Sequence, residues 1–346
     1  MLMVRPALIL AAWVISQSLT PAWTSQTSGV TASFRGVSAV SDAVVWVSGS
    51  AGTVVRTVDG GQTWQKVIVP DSAGLDFRDI DAIDANTAYV LSIDKGKSHI
   101  FKTVDAGAHW VMQFTPDPGV FLDAMSFRDA THGYAIADSM AGRFVLFATS
   151  DGEHWTRVPP DTLPAALPDE GAFSASGSNI AIADADHVWI ATGSRVLYSR
   201  DGGKTWAIAA SPLPPPANTS TGIFSIAFRD ATHGIVVGGD YAKPNEKSDN
   251  CAITSDGGAT WTLVKTLSGF RSAVNYVPHA RAPSLIGIGT SGADYSVDDG
   301  KTWASIGIPA VGPMAGNFNA FSFSPSGKFG WAVGPRGRIA RFEGVR

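Results

Sequence analysis

The 346-residue chain is 45% hydrophobic and 16% charged, enough apolar material for a large core, and its net charge of −4 gives no electrostatic basis for nucleic-acid binding. With 37 glycines, 20 prolines and glutamate only at 153, 170, 246 and 343, the composition disfavours helices and favours short strands joined by turns. The single cysteine, Cys251, excludes an internal disulfide framework and a cysteine-based zinc site.

In chain order, Arg5 precedes an apolar run over 7–15, and Thr20-Pro21-Ala22 supplies small residues. That is a secretory signal pattern over 1–22, too short and too soon polar for a good membrane anchor. The mature chain, 23–346, is expected to be exported to the periplasm or beyond the cell as a monomer, with no membrane span left after cleavage. No cysteine lies nearby to carry a lipid. Ala22-Trp23-Thr24-Ser25-Gln26 then reads as one strand, separated from any repeat of its own.

From residue 34 onward the chain repeats itself. Phe34-Arg35 opens a first strand, 45–47 and 54–56 read as a second and third, and Thr57-Val58-Asp59-Gly60-Gly61-Gln62-Thr63-Trp64 turns the chain into a fourth. In such a turn an aspartate folds back onto backbone N–H groups, and glycines accept positive φ. The same octet recurs at Asp105 and Trp110, Asp201 and Trp206, Asp256 and Trp261, and Asp298 and Trp303, with a copy one residue shorter at Asp151 and Trp155. Successive tryptophans are 46, 45, 51, 55 and 42 residues apart, the mark of a repeat architecture. Later repeats begin near Phe77, Phe121, Phe173, Phe224 and Phe270. A seventh begins near Phe318, has strands at 330–333 and 338–342, and stops at Glu343-Gly344 before any fourth strand. The strand at 23–28 supplies the missing piece, so the expected fold is an all-β, seven-bladed propeller of four-stranded blades, its last blade closed by the N-terminal strand. The octet resembles the Asp-box (BNR) repeat of β-propellers.

Candidate sites follow from this plan. The boxes lie on one rim and their repetition argues for a turn-stabilising role. Trp46, Tyr89, Tyr134, Trp189 and Trp331 share one blade position and read as core. The segments 159–171, 211–222 and 238–250 are surface loops, and inter-blade loops share a face with the turns between second and third strands. On that face Arg35, Arg78 and Arg271 each follow a phenylalanine at the start of an inner strand, so a basic patch is expected near the channel mouth, flanked by Asp240, Tyr241 and Lys243. Such a patch suits carboxylates, phosphates or an acidic protein surface; the competing reading is pairing with local aspartates such as Asp76. Arg128 and Arg229 belong instead to Phe-Arg-Asp-Ala-Thr-His-Gly turns at 127–133 and 228–234. The seven histidines do not cluster at metal-ligand spacing, so neither metal nor cofactor is expected. Gly287-Ile-Gly289-Thr-Ser-Gly292 has a dinucleotide-fingerprint spacing but lacks the following helix.

Taken together, Phe34-Arg35, Gly330-Trp331-Ala332-Val333-Gly334 and the boxes ending at Trp64, Trp206 and Trp261 resemble the Ycf48/HCF-type photosystem II assembly-factor family, over nearly the whole mature chain. The resemblance implies a seven-bladed propeller of YVTN/WD40-like design, a lumenal or periplasmic location, no cofactor, and protein binding through an arginine-rich surface matched here by Arg35, Arg78 and Arg271. The expected function is therefore a non-catalytic assembly module with a protein or anionic partner. The alternative is a glycoside hydrolase of sialidase type acting on a glycan, with carboxylates drawn from Asp94, Asp138 and Asp240. The Ile-Pro that follows Phe-Arg in sialidases is absent. A second alternative is an oxidoreductase-labelled member of the same family, for which no residues fit redox chemistry.

Overall fold

The computed structural model describes residues 22–94, 96–215, 220–247, 249–307 and 316–344. They form seven four-stranded antiparallel sheets, and the one helical element among the described residues is a 3-10 turn at Pro160–Thr162. Six sheets are consecutive in sequence. The seventh takes its inner three strands from Ala320–Phe323, Phe329–Gly334 and Arg338–Glu343 and its outer strand from Ala22–Thr27. The expected seven-bladed propeller, closed by its N-terminal strand, is the observed fold.

Closure rests on one tryptophan. Trp23 stands opposite Phe342 in the antiparallel register and is 7% exposed. Its ring meets those of Phe318, Phe321 and Phe342 at centroid distances of 6.3, 5.9 and 5.0 Å. Without this strand, the apolar face of Arg338–Glu343 and its hydrogen-bonding edge would both be left open.

The core is divided among the blade interfaces. Seven hydrophobic clusters lie one at each junction of adjacent blades, including the junction of the seventh with the first. Trp46, Tyr89, Trp189 and Trp331 are fully buried in them, while Tyr134 is partly buried. Three of these second-strand aromatics also reach the next blade's box: Tyr89 Oη donates to Gly152 O at 2.8 Å, Tyr134 Oη to Gly202 O at 3.1 Å, and Trp189 Nε1 to Gly257 O at 2.9 Å. At the closing junction Gln26 Nε2 and Arg341 Nη1 donate to Gly60 O.

The boxes are self-contained. Thr63 N and Thr63 Oγ1 donate to Asp59 at 2.9 and 2.6 Å, and Thr57 Oγ1 donates to Asp59 Oδ1 while accepting from Gly61 N. Asp201, Asp256 and Asp298 repeat this, and at Asp105 and Asp151 a histidine Nδ1 replaces the threonine hydroxyl, at 2.6 and 2.8 Å. The donors hold the Asp59, Asp105 and Asp201 carboxyls down to about 2.

The fourth blade differs from the reading that opened it at Phe173. Its inner strand is only Ile180–Ile182, and residues 173–179 run as turns into the axial channel. Arg78 Nη1 of blade 2 donates to Ser174 O, Ser176 Oγ donates to Ser272 O ahead of the blade 6 inner strand, and Ser178 Oγ donates to Ser225 Oγ of blade 5. Contacts to blades 2, 5 and 6 at once place the segment across the axis. Its composition permits this: Ser174-Ala175-Ser176-Gly177-Ser178 carries no bulk. Gly177 has φ 70°, and a Cβ there would lie 1.9 Å from Asp79 Oδ1.

Replacing Trp23 with alanine should lower the unfolding free energy by about 3–5 kcal/mol, because a buried ring is lost and the ring of blades is loosened. Urea denaturation checks this, and an unchanged midpoint would show that the N-terminal strand does not lock the fold.

Candidate functional site

Four inner strands carry a β-bulge at their entry. The register shifts between Phe34 and Gly36, Phe77 and Asp79, Leu122 and Ala124, and Ile223 and Ser225. The residues set out of the ladder are therefore Arg35, Arg78, Asp123 and Phe224. A bulge re-aims its side chain, and at this end of the strands it re-aims toward the channel mouth. The mouth is a cavity of about 490 Å³, whose charged lining is Arg35 and Arg78. Phe173, Phe224, Tyr241 and Phe270 form its aromatic side: Phe173 stacks on Phe224 at 3.8 Å, and Phe224 meets Phe270 edge-on at 4.8 Å. Ser174 and Ala175 of the channel-crossing segment also line it, while Ser176, Gly177 and Ser178 line a second cavity of about 660 Å³ on the far side.

The two arginines are held differently. Arg78 pairs with Asp76 at 2.7 Å and donates to Ser174 O. Arg35 Nε is buried with no hydrogen-bond partner among the described residues. Burial, and then the neighbouring Arg78, lower the Arg35 pKa, with Asp76 and Tyr241 acting in the opposite sense. Thr290 Oγ1 and Asn317 Oδ1, also buried without partners, line the same cavity.

Arg271 departs from the expected patch. Its side chain is 1% exposed, Nη2 lies 2.5 Å from Asp294 Oδ2, and Nη1 donates to Phe270 O and Ser291 Oγ. The competing reading, pairing with an aspartate, applies here fully: Arg271 is an internal cross-link and offers no surface cation. Tyr241 is 48% exposed at the rim, and Lys243 pairs loosely with Glu246 at 3.8 Å beside it. Asp240 accepts from Ser220 Oγ at 2.6 Å and Ala242 N at 2.9 Å, which lowers its pKa.

The hydrolase carboxylates do not converge on the mouth. Asp94 ends the second strand of blade 2, opposite Lys97. Asp138 lies in blade 3, where burial raises its pKa, and Asp240 lies in blade 5. None of the three lines either channel cavity. Among the described residues no group of three or more His, Cys, Asp or Glu is placed to hold a metal, and no helix is long and apolar enough to cross a membrane. The expected signal segment, apart from Ala22, lies outside the described residues.

Comparison with known proteins gives this geometry relatives. The family model for the photosynthesis system II assembly factor YCF48 matches residues 20–164, which include Arg35 and Arg78, and the BNR/Asp-box repeat model matches 197–207. The photosystem II assembly lipoprotein Ycf48 of Picosynechococcus sp. is 27% identical over 261 residues, 62% of this chain and 69% of the relative. The chain is a Ycf48-like propeller. YCF48 bound to D1 peptide superposes with a TM-score of 0.66 at 18% identity, covering 93% of this chain and 97% of the other. YCF48 from Cyanidioschyzon merolae gives 0.65 at 16% identity, covering 93% and 99%. A GH74 xyloglucanase from Xanthomonas campestris shares the fold at 0.61 and 15% identity, with 92% and 53% covered. In this Ycf48-like chain the aromatic wall of the mouth, with Thr290 and Asn317, was not anticipated from sequence. The available signal was the phenylalanine standing before each inner strand, which read only as a strand marker.

Two side chains of the channel give checkable outcomes. Asp79, 4% exposed, accepts from Met125 N at 2.9 Å. Burial, with a smaller push from Asp81, raises its carboxyl to about 7, and burial raises Asp81 to about 6. Because the folded pKa lies above the unfolded one, this stabilisation is complete below about pH 4 and lost as pH rises through 6–7. Unfolding free energy should therefore fall by ~3 kcal/mol or more between pH 4 and pH 8 from these groups, and Asp79→Asn should flatten that slope; a slope equal in both proteins rules out the assignment. Arg271→Ala, which strands the buried Asp294 carboxylate, should cost about 3–5 kcal/mol in chemical denaturation. A loss below about 1 kcal/mol, the range of exposed pairs, would contradict the buried cross-link.

Proposed function

We propose that this chain is an exported, non-catalytic assembly module that grips a protein partner at the arginine-bearing mouth. The observation that carries the reading is the pair Arg35 and Arg78: a bulge at the entry of each strand sets an arginine into the lining of the mouth of a closed propeller. The similarity to photosystem II assembly factors supports a protein as the ligand, and the D1 peptide held by one structural relative supports a peptide segment. The apolar run at 7–15, and the lipoprotein status of the Picosynechococcus relative, support export. Arg35 and Arg78 supply charge-assisted hydrogen bonds, while Tyr241, exposed beside them, supplies contact area. Arg271 has no part in this surface.

Affinity capture from native extract tests the reading, using purified 23–346 beside the double variant Arg35→Glu, Arg78→Glu. A partner retained by the wild type should be reduced at least tenfold in the variant. Equal capture by both removes the arginines from the interface, and absence of any specific partner removes the assembly-module reading itself.

A further inference from the structure

We propose that the segment crossing the channel, residues 171–178, is a pH-responsive latch: it stays docked across the axis while the carboxyls packed against it are neutral, and it leaves when they ionise. Asp79, which touches it at the axis, carries most of the response. Release joins the two cavities that the segment separates, whatever occupies either of them.

The first argument is contact. Gly171 and Gly177, near the two ends of the segment, each lie against a carboxyl oxygen: a Cβ would stand 1.9 Å from Asp138 Oδ1 at the first and 1.9 Å from Asp79 Oδ1 at the second. Between them, Ala172 N donates to Asp123 Oδ2 at 3.4 Å. Aspartates of blades 2 and 3 thus touch the segment where it enters the channel and where it crosses. The second argument is how little else holds it. Arg78 Nη1 donates to Ser174 O, Ser176 Oγ to Ser272 O and Ser178 Oγ to Ser225 Oγ, single hydrogen bonds of modest net worth. The one ring, Phe173, stacks on Phe224, and the residues after it carry no bulk to bury. A stretch with few bonds and little apolar contact can open while the blades around it stay folded.

The third argument is the surroundings of the carboxyls. Asp79 and Asp123 are buried, and neither pairs with a cation among the described residues. On its own strand Asp79 faces Asp81, while Arg78 turns to the other cavity and pairs with Asp76. Blade 1 brings Gly36 and Ser38 against that strand, and blade 3 brings Met125 and Ser126, all uncharged. The crossing segment adds only Ser176, Gly177 and Ser178. Across the chamber stand Arg229, His279 and Arg281, and Arg229 is committed to Asp230 and Asp299. Asp123 faces Asp138 in its own blade, and Glu170, next in the chain to Gly171, is paired with Arg195. Burial therefore raises the carboxyls of Asp79, Asp123 and Asp138, the first to about 7. A carboxyl raised by docking favours the docked state in full below about pH 4, and the advantage is lost as pH rises through 7.

Hydrogen exchange of the purified chain, read by mass spectrometry and corrected for the intrinsic pH dependence of exchange, tests this. Peptides covering 173–178 should lose protection by roughly tenfold or more between pH 5 and pH 8, because each unit of a carboxyl's shift is a factor of ten in docking. Leu285–Gly289, a strand of blade 6 buried along its length, should stay better protected than the segment at every pH. Asp79→Asn keeps an acceptor for Met125 N and cannot ionise, so it should retain most of the protection at pH 8. Gly177→Ala forces a Cβ onto Asp79 and should expose the segment already at pH 5. Two results overturn the latch without recourse to a variant. Level protection of the wild-type segment from pH 5 to pH 8 denies the response, and protection equal to that of Leu285–Gly289 throughout shows that the segment opens only with global unfolding. A fall of the same size in Asp79→Asn overturns it as well, because the response then does not pass through Asp79.

Discussion

Seven inner strands each turn one unpaired edge toward a common axis, and every N–H and C=O on those edges needs a partner other than a sheet neighbour. The chain answers with small polar side chains that reach from one blade to the next. Ser38 accepts from Ala82 N, Asp79 and Asp81 from Met125 N and Phe127 N, Asp123 from Ala172 N, Ser225 from Val274 N, and Ser322 from Ala39 N. Asn275 and Asn319 donate to Phe321 O and Phe34 O, and between blades 4 and 5 the backbone carbonyl of Ser178 accepts from Ile226 N in place of a side chain. Every junction has at least one such link. The ring is thus fastened twice, by apolar clusters between the blades and by this polar belt around the channel.

The channel-crossing segment is a consequence of that belt as much as an addition to it. Serine hydroxyls at 176 and 178 join a surface already built of side-chain-to-backbone bonds, and Gly177 fits against Asp79 because it has no Cβ. The same residues that fill the axis divide it. One mouth becomes a blind cavity with an aromatic wall and two arginines, and the other becomes a polar chamber holding Asp79 and Asp81. Function at the first mouth is therefore insulated from the second by backbone atoms, not by distance alone.

The repeat was legible because each box is a local device. Threonine, aspartate, glycine and tryptophan satisfy one another within eight residues, so their spacing exposes the blade count and even the shared last blade. The second-strand aromatics were legible as core for a related reason: one position repeated in blade after blade is packing. The inner-strand entries were harder. A bulge is a matter of register, and no composition rule separates Arg78, set out of the ladder, from the Asp79 beside it, which turns into the belt. The segment at 173–179 looked like a strand start because Phe173 has its counterpart in other blades, while its serines and glycine were free to follow a non-strand path through the channel.

Arg35 and Arg271 make the same point in a single comparison. Both follow a phenylalanine at the entry of an inner strand, and by sequence they are one motif. Asp294, placed on the third strand of blade 6 and reinforced by Ser268 and Ser305, draws Arg271 inward and satisfies it completely. Blade 1 has Val55 at the matching point of its third strand, so nothing on that strand can do the same for Arg35. Two identical dipeptides thus divide into a structural cross-link and a cation lining the mouth according to one residue some twenty positions downstream. In a repeat protein, departures from the repeat are where a binding function has room to reside, and Arg35 with its aromatic neighbours is the departure this chain maintains.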